Sequence, residues 1–425
     1  MSDTRTDAAA AGSEAARTVA SAIAAAPFVR LFGHADGDAL AACGLLAVAC
    51  RERSIPFRVH VSADPAGDAG DAADAADDET GDADAATDDD SRTLLVTRDG
   101  HTATGAATAA TDLAVPTDDG RQPASVGAAA ISRELGVDPD PVLALAGVIA
   151  AGETPGGAGS DRLLAAAESA DRLTRRPGVA VPTADIADGL VHSTLLDAPF
   201  SGDPDAAGDL LADLNVSTDS DAEIDGETRT ALASLVAVET ATASTAASQA
   251  ADSVGAMLRP YATPSAPFAT LGGYADVLAA LARERPGAAI ALAFDAPGAV
   301  SEAVGVWREH AAAAHAALDT ATTGRYDGVF VTRIETARPA VVPTVARLVR
   351  RFRSPEPVAL VVTDAIDGTR HAALAATEPL GLANAMATVA REFDGESGGT
   401  PTQATLAVDA DVSDSALIAA VREAI

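Results

Sequence analysis

Lysine is absent from this chain of 425 residues. All 29 basic side chains are arginine, against 62 Asp and Glu, and the formal net charge is -33. Aromatic residues make up 3% of the sequence, and there are two cysteines. No run of about eighteen uncharged apolar residues occurs, so no transmembrane helix is expected. Two cysteines exclude a disulfide scaffold. Cys43 and Cys50 lie seven apart, on one face of an expected helix, and read as buried thiols of a reducing compartment. The first 31 residues carry Asp, Glu and Arg where a secretory leader needs a clean apolar core, which points to a soluble cytoplasmic protein.

Acidity, few bulky apolar residues and arginine in place of lysine together fit an extreme halophile. Carboxylates keep such a surface hydrated, and concentrated salt screens their repulsion, the Debye length being about 3 Å at 1 M. A strong negative charge ordinarily argues against nucleic acid, whose phosphates want a basic face. In a halophile it discriminates poorly, because acidity is general there. The densest basic runs, RLVRRFR (347–353) and RLTRR (172–176), read as solvated arginines on helix faces.

The chain is long enough for two or three domains. Its amino end alternates strand, helix and strand: FVRLFG (28–33), DALAACGLLAVACRER (38–53) and PFRVHVS (56–62). That order predicts a parallel sheet of the α/β class. The stretch 63–92, almost wholly Ala, Asp and Gly, reads as a disordered acidic insertion. TLLVTRDG (93–100) and DLAVP (112–116) read as further strands. Helices are expected over 124–135, 141–151, 159–173 and 298–320, with the longest at 227–258. A helix and then a strand are expected over 268–294. Strands at 326–335, 357–365 and 404–410 then alternate with helices at 341–353, 380–393 and 413–425.

The chemistry concentrates in one turn. His34, Asp36 and Asp38 fall within five residues after the first strand, where open α/β sheets bind ligands. Carboxylate oxygens suit Mn2+ or Mg2+, and imidazole suits Mn2+. Gly37 lets the backbone bend between the two carboxylates. Two ions about 3.5–4 Å apart could polarise a phosphoryl group, but such a centre needs ligands from later strands as well.

GHADGDALAACGLLA (33–47) resembles the first motif of the DHH phosphoesterase superfamily. PASVGAAAISRELGVDPDPVLALAGVIAAGE (123–153), LVHSTLLDAPFSGDPDAAGDLLADL (190–214) and PFATLGGYADVLAALARERPG (267–287) resemble its haloarchaeal RecJ-like exonuclease branch. EFDGESGGTPTQATLAV (392–408) is similar to the glycine-rich signature of the DHH-associated carboxyl-terminal domain. The resemblance implies a two-lobed protein: a DHH-like parallel-sheet lobe at 1–195, a helical connector at 196–265, and a smaller substrate lobe at 266–425. It implies Mn2+ (or Mg2+) held by His34, Asp36, Asp38 and Asp99, and phosphate contacts at Gly398 and Gly399. It further implies single-stranded DNA or RNA as partner.

Several family positions carry other residues. Asp-His-His is replaced by VPTDDGRQPAS, with Asp118 and Asp119 but no histidine, and His101 lies before that strand. AAGE offers Glu153 in place of an aspartate. The carboxyl-terminal Gly-Gly-His-Pro reads Gly398-Gly399-Thr400-Pro401. The expected protein is therefore a RecJ-like single-strand binder of replication or repair with lost or crippled nuclease activity, associated with the GINS complex or replicative helicase. The alternative is an active metal-dependent exonuclease or phosphodiesterase using Asp99, Asp119 or Glu153 as additional ligands. A nucleotide-binding scaffold ranks last, because no Gly-x-Gly-x-x-Gly or Walker sequence follows a strand. His192, His310, His315 and His371 match no motif and read as structural or surface residues.

Overall fold

The computed structural model describes residues 2–78, 91–97, 113–116, 122–214 and 224–425. The chain divides into two compact units. One comprises Met1–Thr174, Thr263–Pro267 and Val277–Val304; the other comprises Arg175–Ala262, Phe268–Asp276 and Gly305–Ile425.

The first unit is built on a four-stranded parallel sheet of order β2-β1-β3-β4. Its strands are β1 (Val29–His34), β2 (Phe57–Ser62), β3 (Arg92–Val96) and β4 (Leu113–Ala114). β1 lies inside the sheet, with Val29 and Leu31 fully buried. The helix Gly37–Glu52 follows it and is buried over most of its length. Small residues make that burial possible. A Cβ added to Gly37 would sit 2.8 Å from the Ala150 methyl, and one on Gly44 would sit 3.1 Å from Ala293. Cys43 and Cys50 are buried free thiols on this helix, as their spacing predicts.

The expected disorder of 63–92 needs correcting. Pro65–Asp78 is a helix. Asp64 accepts the Gly67 amide at its start (3.1 Å), and Ala69 packs against Phe32 and Leu95. Alanine has the highest helix propensity of any residue, and Pro is preset for the first helical position. An Ala/Asp composition therefore reads as disorder only where no sheet face waits to receive the alanines. Residues 79–90 lie outside the described residues.

Two short strands, β5 (Thr174–Arg175) and β6 (Tyr261–Ala262), come next along the chain. The second unit carries a six-stranded sheet of order β11-β12-β10-β9-β8-β7. Its strands are β7 (Thr322–Tyr326), β8 (Val329–Ile334), β9 (Val358–Ile366), β10 (Thr369–Ala376), β11 (Glu396–Gly399) and β12 (Gln403–Asp409). Only β8 and β9 pair in parallel; the other neighbours are antiparallel. Side chains alternate between two cores, as the pleat requires. Val358, Leu360 and Val362 join Met386 and Leu417 on one face. Ala359 and Val361 join Val345, Phe352 and Phe200 on the other.

Three expectations change in this half. The expected connector 196–265 is mostly structural to the second unit, because Phe200, Leu210, Leu232 and Val254 share a core with Phe352. The long helix expected over 227–258 is interrupted: one helix covers Gly226–Thr242 and another Ala250–Val254. The strand expected at the end of 268–294 is a helix, Pro286–Ala293, because an alanine-rich run after proline favours helix once packing allows it.

The helix Leu271–Glu284 sets the tightest packing constraint. Thr270 Oγ1 donates to the Val181 carbonyl (2.7 Å) and accepts from the Gly273 amide (3.0 Å). A Cβ on Gly273 would lie 2.2 Å from the Pro182 nitrogen and 2.3 Å from the Val181 carbonyl carbon. Backbone cannot yield as a flexible side chain can. Gly273→Ala is therefore expected to destabilise the protein by about 3 kcal/mol in denaturant titrations in molar KCl. Gly208→Ala, where a methyl meets nothing within 4 Å, is expected to be neutral or slightly stabilising. Equal effects at the two positions would refute the packing account.

Candidate functional site

β1 ends at His34, and the chain turns through Ala35 and Asp36 into the helix Gly37–Glu52. Asp36 is extended (φ -133, ψ 164), the usual geometry of a helix N-cap. Its Oδ1 accepts the amides of Asp38 (2.9 Å) and Ala39 (2.8 Å). Its Oδ2 lies 2.8 Å from His34 Nδ1. Both oxygens are thus engaged.

Asp38 does the same for a different helix. It is 2% exposed, and its Oδ2 and Oδ1 accept the amides of Ala124 (2.7 Å) and Ser125 (3.0 Å). Those amides open the helix Ala124–Glu134, whose own capping position is Pro123, a residue with no side-chain acceptor. Asp38 supplies from 86 positions upstream the acceptor that the local sequence lacks, and its charge meets the positive end of the helix.

Burial pushes the Asp38 carboxyl up to about 7, reinforced by the Asp36 charge and opposed by the Ser125 and Ala124 hydrogen bonds. Burial also acts to raise Asp36, but the hydrogen bond and charge of His34, the Ala39 amide and Arg283 outweigh it and hold Asp36 below the usual range.

The described donors do not by themselves make up a two-metal centre. Among the described residues, no three His, Cys, Asp or Glu side chains converge as metal ligands. Asp38 faces a helix terminus and is sealed from solvent, and Asp36 turns its second oxygen to His34. The further candidates Asp99, His101, Asp118 and Asp119 lie outside the described residues. Glu153 follows Gly152 (φ +83) past the helix Pro141–Ala150, its amide donating to the Val148 carbonyl at 3.0 Å.

Gly398 and Gly399 stand in β11, the outer strand of the six-stranded sheet, opposite Thr405 and Ala404 of β12. Gly399 has φ +150, and a Cβ there would come within 2.4 Å of the Gln403 carbonyl. The glycine permits a tight return through 400–402. The carbonyls of Thr400 and Pro401 then accept amides opening the helix Leu382–Glu392.

The second unit holds a buried polar network that sequence reasoning missed. Asp276 is 1% exposed and accepts from the Thr194 amide (2.9 Å), the Thr194 hydroxyl (2.5 Å) and Trp307 Nε1 (3.0 Å). Arg347 donates to the same hydroxyl at 2.9 Å. The available signal was an aspartate on the apolar face of GGYADVLAALA, which the fold sets beside the only tryptophan of the chain. RLVRRFR is not the solvated face expected: Arg353 forks onto buried Asp197 at 2.5 and 2.9 Å, and Arg347 and Arg351 are half-buried. The burial follows from Val349 and Phe352, which pull this segment into the core. His310 and His315 are structural, bonded to Thr344 Oγ1 and the Ser193 carbonyl.

The uncharacterized protein rrnAC1427 of Haloarcula marismortui is 43% identical to this chain over 407 residues, 96% of each. The chain belongs to that family. The family model for the rrnAC1427 C-terminal domain matches residues 321–423, the segment that forms β7 to β12 and their helices. Among solved structures, CDC45 from Entamoeba histolytica aligns over 93% of this chain and 95% of its own, with a TM-score of 0.56 at 9% identity. RecJ from Thermus thermophilus, solved in complex with Mn2+, aligns over 97% of this chain and 54% of its own, with a TM-score of 0.50 at 14% identity. The chain thus shares the fold of CDC45 and RecJ, with a parallel-sheet amino-terminal unit and a separate carboxyl-terminal sheet domain. Among the described residues no helix is long and apolar enough to cross a membrane.

The Asp38 carboxyl sets a pH dependence. Its folded value of about 7 lies above the ordinary 3.8, so the folded state holds its proton longer than the unfolded chain. The stability linked to this group is therefore present below pH 4 and falls as pH rises towards 7. Asp38→Asn removes the titration. The stability of wild type relative to the variant is expected to decline by on the order of 3 kcal/mol between about pH 4 and pH 8 in denaturant titrations. Asp36, held below its ordinary value, titrates outside that window. Parallel pH profiles for the two proteins would refute the assignment.

Proposed function

We propose that this protein is a non-hydrolytic member of the RecJ-like fold that binds single-stranded DNA or RNA in replication or repair, beside the GINS complex or replicative helicase. The observation that carries this reading is the double use of the first turn: Asp36 closes the helix Gly37–Glu52, and Asp38 closes the helix Ala124–Glu134. Each Asp38 oxygen already accepts a backbone amide and the side chain is 2% exposed, so a hydrated cation would have to displace the 124–134 helix terminus to reach it. The turn keeps its place at the end of β1 as an architectural joint.

The likeness to CDC45 over nearly the full length of both chains supports a fold retained for assembly. The net charge of -33 does not oppose a nucleic-acid partner, provided contact is made by discrete arginines and not by a diffuse field. In this reading the carboxyl-terminal sheet domain meets the nucleic acid.

The test is direct. The whole chain in molar KCl with Mn2+ or Mg2+ is expected to retain a fluorescent 5′-tailed single strand in anisotropy measurements and to release no nucleotides. Asp36→Ala is expected to leave hydrolysis absent and to lower stability by about 1 kcal/mol through loss of the cap. Metal-dependent hydrolysis abolished by Asp36→Ala would establish the active phosphodiesterase instead. Absence of single-strand binding would overturn the binding role.

A further inference from the structure

We infer that Arg347 and Arg351 form a partly buried binding site for an oxyanion of the phosphate class. The helix Val342–Leu348 widens in its last turn, Val349–Arg353, where the Ser354 amide donates to the Val349 carbonyl five residues back (2.7 Å). Widened turns of this kind re-aim side chains and recur at functional sites. Here the turn anchors Val349 and Phe352 in the core and leaves four arginines to be accommodated.

Two of the four are engaged through more than one nitrogen. Arg353 forks onto Asp197, and Arg350 donates to the Pro357 carbonyl (2.7 Å) and the Thr377 hydroxyl (3.2 Å). The other two are not. Arg347 gives one nitrogen to Thr194 Oγ1, and the Arg351 guanidinium has no hydrogen-bond or ion-pair partner among the described residues. Both are half-buried. Burial, and then the charge of Arg347, draw Arg351 down to about 10. Burial lowers Arg347 too, partly offset by Asp276.

A guanidinium does not give up its proton at any pH relevant here, so desolvating one without a counter-ion is costly. Two near each other cost more. Shortage of acids cannot explain the arrangement, since carboxylates outnumber arginines 62 to 29. The carboxylate whose charge reaches Arg347, Asp276, is held by Thr194 and Trp307. The elements packed around the turn bring only neutral groups to its backbone: Gln249 donates to the Arg350 carbonyl, and the Ser253 hydroxyl to the Arg351 carbonyl. A tetrahedral oxyanion meets the need, because its paired oxygens match the planar fork of arginine. Contact of this kind also survives salt, where screening over about 3 Å erases longer-range attraction.

The inference stands apart from the metal question, because its test measures binding and not hydrolysis. Inorganic phosphate, titrated into the whole chain at constant molar KCl, is expected to raise the thermal midpoint, and Arg351→Gln to weaken that binding at least about tenfold. Arg351→Lys keeps the charge without the fork and is expected to fall between. Arg350→Gln is expected to bind phosphate within about twofold of wild type, its guanidinium being engaged elsewhere. Unliganded Arg351→Gln is expected to melt no lower than wild type, since it loses an uncompensated charge. A labelled single-stranded oligonucleotide distinguishes the phosphate source. Displacement by phosphate with equal sensitivity to Arg351→Gln identifies a backbone phosphate; indifference identifies a free phosphate or mononucleotide. Three results would overturn the site: no phosphate effect beyond that of chloride, an adventitious ion only; unchanged phosphate binding in Arg351→Gln; or a lower unliganded midpoint for that variant, which would make Arg351 a packing residue.

Discussion

The amino-terminal unit depends on the bond between the Asp38 carboxylate and the amides of Ala124 and Ser125. A helix beginning Pro123-Ala124-Ser125 has no local acceptor for its first amides, and buried amides without acceptors are costly. Asp38 supplies one acceptor oxygen to each from the first turn of the helix that follows β1, so the Gly37–Glu52 helix and the 124–134 helix are tied by one side chain. Asp36 sits two residues before it and closes the neighbouring helix. The short spacing that makes the pair look like a ligand cradle is also the spacing that lets one turn cap two helices.

That joint is tight because the chain builds its core from small side chains. With aromatics at 3%, volume is filled by alanine, valine and leucine, and helices approach until glycine is needed. Gly37 meets Ala150 and the Ala279 backbone, and Gly147 meets Ser125. Close approach brings backbone amides within reach of short carboxylates. A bulkier core would hold the 124–134 helix too far from Asp38 for a bond of 2.7 Å.

Much of this is legible in the sequence, and the exceptions share a cause. The βαβ start, the seven-residue spacing of Cys43 and Cys50, and the apolar runs of β8, β9 and β12 are local patterns, and they appear as expected. The His34–Asp36–Asp38 turn stands at a strand end as its sequence predicts, but what Asp38 binds depends on residues 86 and 87 positions away, which no local pattern encodes. β10 carries no strong strand signal in TRHAALAA; it is held by β9 and β12 on either side. The 65–78 segment shows the same rule reversed. Its composition reads as disorder, and the waiting face of Phe32 and Leu95 gives its alanines something to bury against.

The same logic explains why a chain without lysine can use arginine both as a structural tie and as a recognition group. A flexible ammonium in concentrated salt offers little beyond its charge, which screening removes. A guanidinium offers directional paired donors, which matter only at contact distance. Arg353 and Asp197 show the structural use, with side chains 17% and 6% exposed and two bonds between them. Arg308 and Asp188 repeat it at 2.8 and 3.0 Å. The half-buried Arg351 has the same fork and, among the described residues, no acid in it. Where an acid-rich chain leaves such a fork open, charge balance calls for an anion from outside the chain. The shape of the fork then selects oxyanions over a spherical ion, as the paired carboxylate oxygens of Asp197 on Arg353 illustrate.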